Sequence, residues 1–495
     1  MLKRLSYIFV AATMSFLSAC GGGSGASTYT VGGTVSGLAV GKSLQMDLVT
    51  DGHSGSGPGL SDSRTVTVNG AFTFGPQIAS GSTYTVSVST QPYGQMCSVT
   101  NHTGTLNSDV SNVNITCVDK GLYVFSTNEA AATVATYAID PATGALARVG
   151  TPVTTNTTLP SAEYPAPKSI AVHPTGRYAY VTNEGANSIV QYTINSSIGT
   201  LSNAVTTTGF NAIKDIAIHP AGTYAYVGGQ VGTTLGIYSL SVNASTGALS
   251  SPTFAGQLAW PDSGAYTDYT VDRLVFNPSG NFLYAANQWN GNVSAFAVDS
   301  TGHLTFKNAT SSKQYQNNSS CGSASDDASF INWMTVDPSG KFMYLASGDY
   351  LAAGGITAFS LNTSTDTASG TFTQVGCMVA TGGPVKSVVV DPTGKYLYAI
   401  NGSSQSSMDT APNKLLAFSI NGATGALTAI GSPLATGVAP AGMTIDRGGK
   451  YVYVTNSGDN TISTYSINAA TGNLTLVGSP TSTGSGTQPQ AIGSY

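Results

Sequence analysis

Charged side chains are scarce in this chain. The 18 Lys and Arg and the 23 Asp and Glu residues amount to 8% of its 495 residues, whereas about 25% is usual for soluble domains. The formal net charge of −5 is small for this length, and no run of basic residues occurs. These features argue against nucleic acid as a partner. With so few charges, the solubility of the protein must depend on its hydroxyl and amide groups.

The residues that most often carry acid–base or metal chemistry are also few. Glutamate occurs at three positions and histidine at five. The sequence has no C-x-x-C or C-x-x-H zinc spacing, no G-x-S-x-G elbow, no EF-hand loop and no phosphate-binding glycine loop. His53 and His102 lie among Gly, Ser and Thr, a context that favours a solvated surface over metal binding. We therefore expect no metal ion and no cofactor.

Long apolar runs are absent except at the N-terminus. Lys3 and Arg4 precede an apolar stretch, residues 5–16, which is too short to span a bilayer as a helix and is typical of an export signal. The stretch ends in the tetrapeptide LSAC, which resembles the bacterial lipobox. That resemblance implies a signal peptide over residues 1–19 and lipidation of Cys20. The alternative is an ordinary cleavage site with an incidental Cys.

The residues after Cys20 are typical of a flexible tether. Residues 20–27 are mostly Gly and Ser. The lipobox resemblance, with no Asp after the Cys, implies sorting to the outer membrane of a two-membrane bacterium. The expectation is an exported cell-envelope lipoprotein that contacts the membrane through its N-terminal lipid.

The remaining cysteines form an even set of four. They are Cys97, Cys117, Cys321 and Cys377. In an oxidising compartment the simplest account is two disulfides, Cys97 with Cys117 and Cys321 with Cys377. The first would close a loop of 20 residues, a constraint that adds roughly 3 kcal/mol of stability. Paired thiols leave no Cys nucleophile.

A repeated phrase predicts the architecture of the long C-terminal part. It reads HPTGRYAYVTN from His173 and DPTGKYLYAIN from Asp391, and copies recur 46 to 60 residues apart. The tyrosines aligned between copies are Tyr123, Tyr180, Tyr226, Tyr284, Tyr344, Tyr398 and Tyr453. Short alternating strands at this period indicate a β-propeller.

Each copy can be divided into four strands. Pro and Gly make a tight turn between the first two strands, and a Thr-Gly-x-Leu turn opens the fourth. Residues 488–495 resemble an isolated first strand, which the first copy lacks. We therefore predict an all-β chain: a seven-bladed β-propeller over residues 120–495, closed by the C-terminal strand. A small β-sandwich domain of about seven strands is predicted for residues 28–119.

The ring resembles the lactonase-like propellers, which include bacterial 6-phosphogluconolactonase and fungal carboxymuconate cyclase, and the related YVTN-repeat proteins. The similarity spans residues 121–495 and depends on YVTN at Tyr180 and Tyr453 and on the D-P-x-G-K-Y turns. In the lactonases a His commonly lies at the mouth of the channel, six residues before the turn Pro. The equivalent positions here are Lys168, Lys214, Asp272, Asn332, Lys386, Ala441 and Gln490. None is a His, so a general base of that kind is missing.

Cations are frequent at this predicted mouth. Lys168, Lys214 and Lys386 occupy one position in three blades, and Arg273 adjoins another. Positive charges in a concavity attract an anion. The alternative is that these cations pair with Asp215 and Asp272 and only line a water-filled channel. The predicted ligand-binding set is Lys168, Lys214, Asp272, Arg273, Asn332, Lys386 and Gln490, with mouth loops at 257–268, 311–329 and 402–414.

These observations favour a lipid-anchored envelope propeller that binds a small anionic ligand or a protein partner at its mouth without catalysis. The alternative is a lactonase-type hydrolase with a different base, and a purely structural role is a third possibility. An exported chain would not meet phosphogluconolactone, which is an intracellular metabolite.

Overall fold

The computed structural model describes residues 27–39, 42–51, 59–90, 92, 95–119, 122–155, 166–258, 270–288, 291–311, 330–348, 354–363, 370–402 and 413–494. The predicted signal peptide, Cys20, Cys321 and most of the three predicted mouth loops lie outside these residues. The chain divides into two compact units, Met1–Asp119 and Lys120–Tyr495. In the described ranges no helix is long and apolar enough to cross a membrane.

The N-terminal unit has ten described strands. They are β1 (Thr28–Tyr29), β2 (Val31–Ser36), β3 (Leu44–Thr50), β4 (Ser61–Val66), β5 (Gly70–Thr73), β6 (Ile78–Ala79), β7 (Thr83–Thr90), β8 (Gln95–Thr100), β9 (Thr103–Thr105) and β10 (Val110–Asp119). Seven of them have four or more residues. The other three, β1, β6 and β9, have only two or three residues, too few to show alternation in the sequence.

These strands form two four-stranded sheets that share one core. The orders are β5-β2-β10-β8 and β4-β3-β7-β9, with β1 paired to β6. Val31 and Ile115 of one sheet and Met46 and Val86 of the other are buried in the same hydrophobic cluster. Cys97 and Cys117 face each other on adjacent strands and form the predicted disulfide.

The second unit consists of 29 described strands. The first two blades contain β11 (Tyr123–Asn128), β12 (Thr133–Ile139), β13 (Leu146–Thr154), β14 (Pro167–Val172), β15 (Tyr178–Asn183), β16 (Ser188–Ile194) and β17 (Leu201–Thr207). The next two contain β18 (Ala212–Ile218), β19 (Tyr224–Val231), β20 (Thr234–Ser241), β21 (Thr253–Gly256), β22 (Arg273–Phe276), β23 (Phe282–Ala286), β24 (Asn292–Val298) and β25 (Leu304–Ser311).

The last three blades and the closing strand follow. They contain β26 (Ile331–Val336), β27 (Phe342–Ser347), β28 (Gly355–Leu361), β29 (Phe372–Ala380), β30 (Val385–Val390), β31 (Tyr396–Asn401), β32 (Lys414–Ile420), β33 (Leu427–Ala435), β34 (Pro440–Ile445), β35 (Tyr451–Asn456), β36 (Thr461–Ile467), β37 (Leu474–Leu476), β38 (Thr481–Ser482) and β39 (Pro489–Ser494).

Seven sheets confirm the predicted propeller. Blade 1 has the order β13-β12-β11-β39, and the next five are β14 to β17, β18 to β21, β22 to β25, β26 to β29 and β30 to β33, each in sequence order. Blade 7 runs from β34 to β37, with β38 also paired to β36. The C-terminal strand β39 is antiparallel to β11, so it supplies the missing inner strand of blade 1, as predicted.

The repeated turn folds as its residues require. In blade 6, Asp391 Oδ1 accepts hydrogen bonds from the N–H groups of Lys395 and Tyr396 at 2.8 and 2.7 Å. Gly394 adopts φ of 71°, a conformation that favours glycine. The Asp therefore caps the turn.

Buried tyrosines join neighbouring blades. Tyr180 donates its hydroxyl to the carbonyl oxygen of Gly247 in the next blade at 2.8 Å, and Tyr226 donates to Gly302 at 2.7 Å. These acceptors belong to the Thr-Gly-x-Leu turns. The tyrosine of one repeated motif and the Thr-Gly-x-Leu turn of the other thus form the two sides of one contact between blades. This contact explains why both motifs recur.

The sequence alignment of blade 1 is wrong by two residues. Tyr123 donates to the carbonyl of Ser197, as Tyr178 does to that of Ser245. The residue equivalent to Tyr180 is Phe125, three places before the last residue of its strand. Because both residues are aromatic and every residue of both strands is buried, the sequence alone did not separate the two registers.

Candidate functional site

The seven predicted mouth positions lie at the start of the inner strands, around one end of the channel. Lys168, Lys214 and Asp272 line a cavity of about 230 Å³. Asn332 and Lys386 line a second cavity of about 340 Å³. Ala441 and Gln490 line both. The five positions counted from a turn Pro and the two aligned by their apolar strands, Ala441 and Gln490, thus line the same pair of cavities, and ligand binding by them stays a prediction.

Two glutamates that the sequence analysis set aside also lie at this mouth. Glu129 and Glu184 directly follow the last residues of β11 and β15. The Glu184 N–H donates to the carbonyl of Ala166 at 3.0 Å, and Ala166 has φ of 46°. This left-handed residue, followed by Pro167, turns its carbonyl towards the end of the neighbouring strand. Glu129 makes the equivalent bond to Gln488, whose φ is 47°.

A chain of ion pairs crosses three blades at this point. Lys168 Nζ lies 2.8 Å from Glu129 Oε1 and 4.0 Å from Glu184 Oε2. Lys214 pairs with Glu184 Oε1. The alternative considered from the sequence was pairing with Asp215 and Asp272. The two lysines are instead compensated by glutamates from the ends of the second strands.

Asp215 and Asp272 are both buried, and they accept hydrogen bonds from different groups. Asp215 accepts from the Ser169 hydroxyl at 2.6 Å and from the Leu274 N–H at 2.9 Å, so it joins the inner strands of blades 2, 3 and 4. Asp272 Oδ2 accepts from the Gln288 N–H at 2.7 Å and from the Thr270 hydroxyl at 3.4 Å. Only 6% of Asp272 is exposed, yet it lines the first cavity.

Arg273 lies where the two mouth cavities meet. Its guanidinium carbon is 4.7 Å from the centroid of the Trp333 ring, and its Nε donates to the backbone carbonyl of Asn332 at 2.8 Å. Stacking on an indole and a hydrogen bond hold the guanidinium in one place. Both cavities therefore share one preorganised cation.

Asn332 was predicted to bind ligand, but its side chain is engaged by the protein. Its Nδ2 donates to the carbonyls of Gly348 and Val385 at 2.7 and 2.9 Å, and its Oδ1 accepts from Gln288 Nε2 at 3.1 Å. These bonds fix the backbone carbonyl that holds Arg273. Asn332 also lines the second cavity, and ligand binding by it stays a prediction.

His173 and His219 lie at the turns that follow the inner strands β14 and β18, at the opposite end of those strands from the mouth. His173 Nδ1 contacts the Thr175 hydroxyl at 2.7 Å, and its Nε2 contacts the Gly222 carbonyl at 3.0 Å, so it completes a turn as Asp391 does. His219 occupies the equivalent turn, where burial lowers its pKa. In the described ranges no group of three His, Cys, Asp or Glu residues is placed to bind a metal ion.

The second predicted disulfide falls partly outside the described ranges. Cys377 is disulfide-bonded, and its predicted partner Cys321 is not among the described residues.

Comparison with known proteins supports a family assignment. The family described as "Lactonase, 7-bladed beta-propeller" matches residues 112–258 and 388–489. No curated protein matches the chain. Among solved structures, a protein of Bacteroides fragilis provisionally named a 6-phosphogluconolactonase is 19% identical, with a TM-score of 0.57 over 76% of this chain and 98% of that one. A periplasmic gluconolactonase of Pseudomonas aeruginosa is 16% identical, with the same score and coverages. At these identities the similarity of structure concerns the fold.

Proposed function

The chain belongs to the seven-bladed β-propeller family of lactonases, and from this premise we propose that it hydrolyses a lactone at the mouth of its channel. The observation that carries the proposal is the first cavity. It brings two carboxylates, Glu184 and Asp272, together with three cations, Lys168, Lys214 and Arg273. Ester hydrolysis needs a base for water and positive charge for the oxyanion, and this cavity supplies both.

Asp272 suits the role of base better than Glu184. Glu184 lies between two ammonium groups, so protonating it would remove the carboxylate paired with Lys214 and leave Lys168 with Glu129 alone. Asp272 lines the cavity, and its Oδ2 accepts hydrogen bonds from the Gln288 N–H and the Thr270 hydroxyl. We therefore assign proton transfer to Asp272, and we assign to Glu184 the positioning of Lys168 and Lys214.

The reaction then proceeds in two steps. Asp272 removes a proton from water while the water oxygen bonds to the carbonyl carbon, and the lysine ammonium groups stabilise the resulting oxyanion. The ring C–O bond then breaks, and the proton held by Asp272 passes to the leaving alkoxide. The product is a hydroxy acid, whose carboxylate is attracted by Arg273 and the lysines.

Binding of an anion without turnover is the second candidate function. It is favoured by the mouth positions themselves, which hold no His where the lactonases commonly have one. A hydroxy acid would bind to the same cations, so binding alone does not separate the two functions.

Turnover separates them. Glucono-δ-lactone is a suitable first substrate, because one protein of similar fold is named a gluconolactonase, and δ-valerolactone tests the ring alone. We expect hydrolysis above the spontaneous rate, and we expect Asp272→Asn to lower kcat at least about 100-fold, in the range typical for loss of a general base. Binding of gluconate without hydrolysis of either lactone would instead support the second candidate.

Asp140→Asn is the matched control. Asp140 caps an exposed turn through the N–H groups of Ala142 and Thr143, and Asn occupies the equivalent turn position at Asn243, Asn421 and Asn468. This variant changes the same functional group far from Asp272 in sequence, and its activity should equal that of the wild type.

We also propose that the protein acts in the cell envelope, anchored by lipid at Cys20. The support is the N-terminal sequence, with two basic residues, a short apolar stretch and LSAC. The disulfide between Cys97 and Cys117 is consistent with an oxidising compartment.

A further inference from the structure

The mechanism proposed above takes place in the first mouth cavity and leaves the second, of about 340 Å³, without a role. None of the described residues that line the second cavity is acidic, so they supply no carboxylate base for hydrolysis. This cavity is larger than the first, of about 230 Å³, and it lies within the range of about 300–1,000 Å³ that is typical of small-molecule sites. A ligand group in the second cavity would therefore be bound there without being cleaved there.

The two cavities are neighbours that share four lining residues, Arg273, Gln288, Ala441 and Gln490. Ala441 has the smallest side chain among the seven mouth positions, since the other six blades carry Lys, Asp, Asn or Gln there. Its methyl group leaves open a boundary that a longer side chain would fill. One molecule can therefore occupy both cavities, with two parts of similar size on either side of Ala441.

The side chain of Gln288 offers a hydrogen-bond acceptor at this boundary. Asn332 Nδ2 donates to the carbonyl oxygens of Gly348 and Val385 at 2.7 and 2.9 Å. Because carbonyl oxygens can only accept, these bonds fix the orientation of the Asn332 amide. Its Oδ1 must then accept, and the group that donates to it at 3.1 Å is Gln288 Nε2. Gln288 Oε1 is left without a donor in the described part of the chain, and Gln288 lines both cavities.

The polar atoms left unpaired at the second cavity select the chemistry of its ligand. A carboxylate could only accept hydrogen bonds, whereas the acceptor of Gln288 needs a donor, and a hydroxyl group both donates and accepts. Gln488 and Gln490 also line the cavity, and their side-chain amides have no partner within the described ranges. Lys386, in contrast, is engaged by another group of the protein. These unpaired amide groups suit a polyhydroxylated ligand better than an anion.

We propose that the second cavity is a subsite for a sugar unit attached to the lactone. The inference rests on the proposed function for the reaction, and it adds the substrate class: lactones of oxidised disaccharides, in which a glycosyl group is joined to an aldonolactone ring. The lactone ring lies in the first cavity beside Asp272, and the glycosyl hydroxyls bond to Gln288, Gln488 and Gln490. The glycosidic bond passes Ala441 and stays intact.

The first test compares glucono-δ-lactone with three disaccharide lactones that differ in linkage: cellobiono-δ-lactone, maltobiono-δ-lactone and melibiono-δ-lactone. Two or three additional hydrogen bonds between uncharged groups contribute enough free energy for a gain of at least about tenfold. We expect kcat/KM for at least one disaccharide lactone to exceed that for glucono-δ-lactone by this factor. If none of the three reaches it, the inference is wrong.

Ala441→Gln tests the boundary between the cavities, because it gives blade 7 the side chain that blade 1 has at Gln490. It should lower the ratio of kcat/KM for the preferred disaccharide lactone to that for glucono-δ-lactone at least about fivefold. Ala429→Gln is the matched control, since Ala429 is exposed on the outer strand β33, and its ratio should equal that of the wild type. General loss of folded protein cancels in this ratio. An unchanged ratio in Ala441→Gln would contradict the inference.

Calorimetric binding of the δ-lactams of the same four sugars separates the inference from the proposed function, because lactams keep the ring and the sugar but resist hydrolysis. Binding of a disaccharide lactam at least about tenfold tighter than that of glucono-δ-lactam, with a ratio independent of salt, is expected for hydrogen bonds between uncharged groups. This result without hydrolysis of any lactone would support the subsite and contradict the lactonase. Hydrolysis without preference for a disaccharide lactone would do the reverse. If no lactam binds and no lactone is hydrolysed, both proposals are wrong.

Discussion

Tyr453 donates its hydroxyl to the carbonyl oxygen of Gly144, 3.2 Å away, although 309 residues separate them. The bond joins blade 7 to blade 1. Gly144 has φ of 76°, and a Cβ at this position would clash with the ring of Tyr451. The ring is thus closed at its outer side by the same kind of contact that Tyr180 and Tyr226 make between other blades, and at the channel by β39.

The tyrosine hydroxyls can be tested with a matched pair. Tyr453→Phe should lower the free energy of unfolding by about 1–3 kcal/mol, because it leaves a buried carbonyl without its donor. Tyr284→Phe is the control, since the buried Tyr284 hydroxyl has no hydrogen-bond partner among the described residues. Denaturant unfolding should show no loss for the control. Equal losses in the two variants would contradict the account.

Removal of the closing strand should open the ring. Deletion of residues 488–495 removes β39 and uncovers the edge of β11, where Val124 and Phe125 are fully buried. An unpaired apolar edge is prone to aggregation. We expect a lower melting temperature and oligomers in size-exclusion chromatography. Deletion of Tyr495 alone leaves the strand complete and should have no effect; wild-type melting of the longer deletion would show that the ring closes otherwise.

The buried tyrosines predict loss of stability in alkali. Burial raises the pKa of Tyr137 to about 12, and it raises the pKa of Tyr180, Tyr226 and Tyr398 further. The pKa of tyrosine in an unfolded chain is about 10. A raised pKa in the folded state gives a contribution to stability that is complete below that pH and is lost as the pH rises towards the folded pKa.

Absorbance at 295 nm measures this titration. At pH 11 the folded protein should show fewer ionised phenols than the same protein in guanidinium chloride, and the missing phenols should appear together with unfolding at higher pH. Coincident titration curves for the folded and the denatured protein would contradict the prediction.

Glu184 should restrain the two lysines beside it. Glu184→Gln leaves Lys168 with Glu129 and removes the carboxylate paired with Lys214. We expect gluconate to bind more tightly, by a few-fold at low ionic strength, and the gain to shrink as salt is added. Titration calorimetry at two salt concentrations measures both effects. Weaker binding in the variant would show that the carboxylate itself contacts the ligand.

Lipid anchoring makes a prediction for whole cells. Cys20→Ser should move the protein from the membrane fraction to the soluble fraction, because no other lipid attachment is proposed. Ser18→Ala, a change within the same tetrapeptide that keeps the Cys, should leave the protein in the membrane fraction. Unchanged membrane retention of the Cys20 variant would refute the anchor.

The fold was predictable because its determinants are local and repeated. Asp391, Gly394 and Tyr398 act within one turn or between adjacent blades, so each copy contains the information needed to build a blade. The error at Tyr123 has the opposite cause. Blade 1 lacks its first strand and turn in sequence, and without that landmark two aromatic residues two positions apart are equivalent candidates.

The site was predictable only where position along one strand determines location. Counting from the turn found Lys168 and Lys214, because every inner strand starts at the mouth. It missed Glu129 and Glu184, which follow the second strand; the signal available was a Glu directly after the terminal Asn in both blades. The role of Asn332 was not predictable, since its three partners come from three separate segments.

The residue at the end of the second strand of each blade also affects how a ligand can bind in the channel. The residue there varies around the ring, with two Glu, two Gln, two Gly and one Ser: Glu129, Glu184, Gln230, Gln288, Gly348, Gly402 and Ser457. The backbone has nearly sevenfold rotational symmetry, so by itself it would let a ligand on the channel axis bind in seven equivalent orientations. The acidic, amide and small residues that follow one another around the ring make these orientations different. A polar ligand on the axis therefore has one preferred orientation. Stereochemical discrimination by this propeller would therefore originate in five side chains and two glycines on an otherwise repetitive frame.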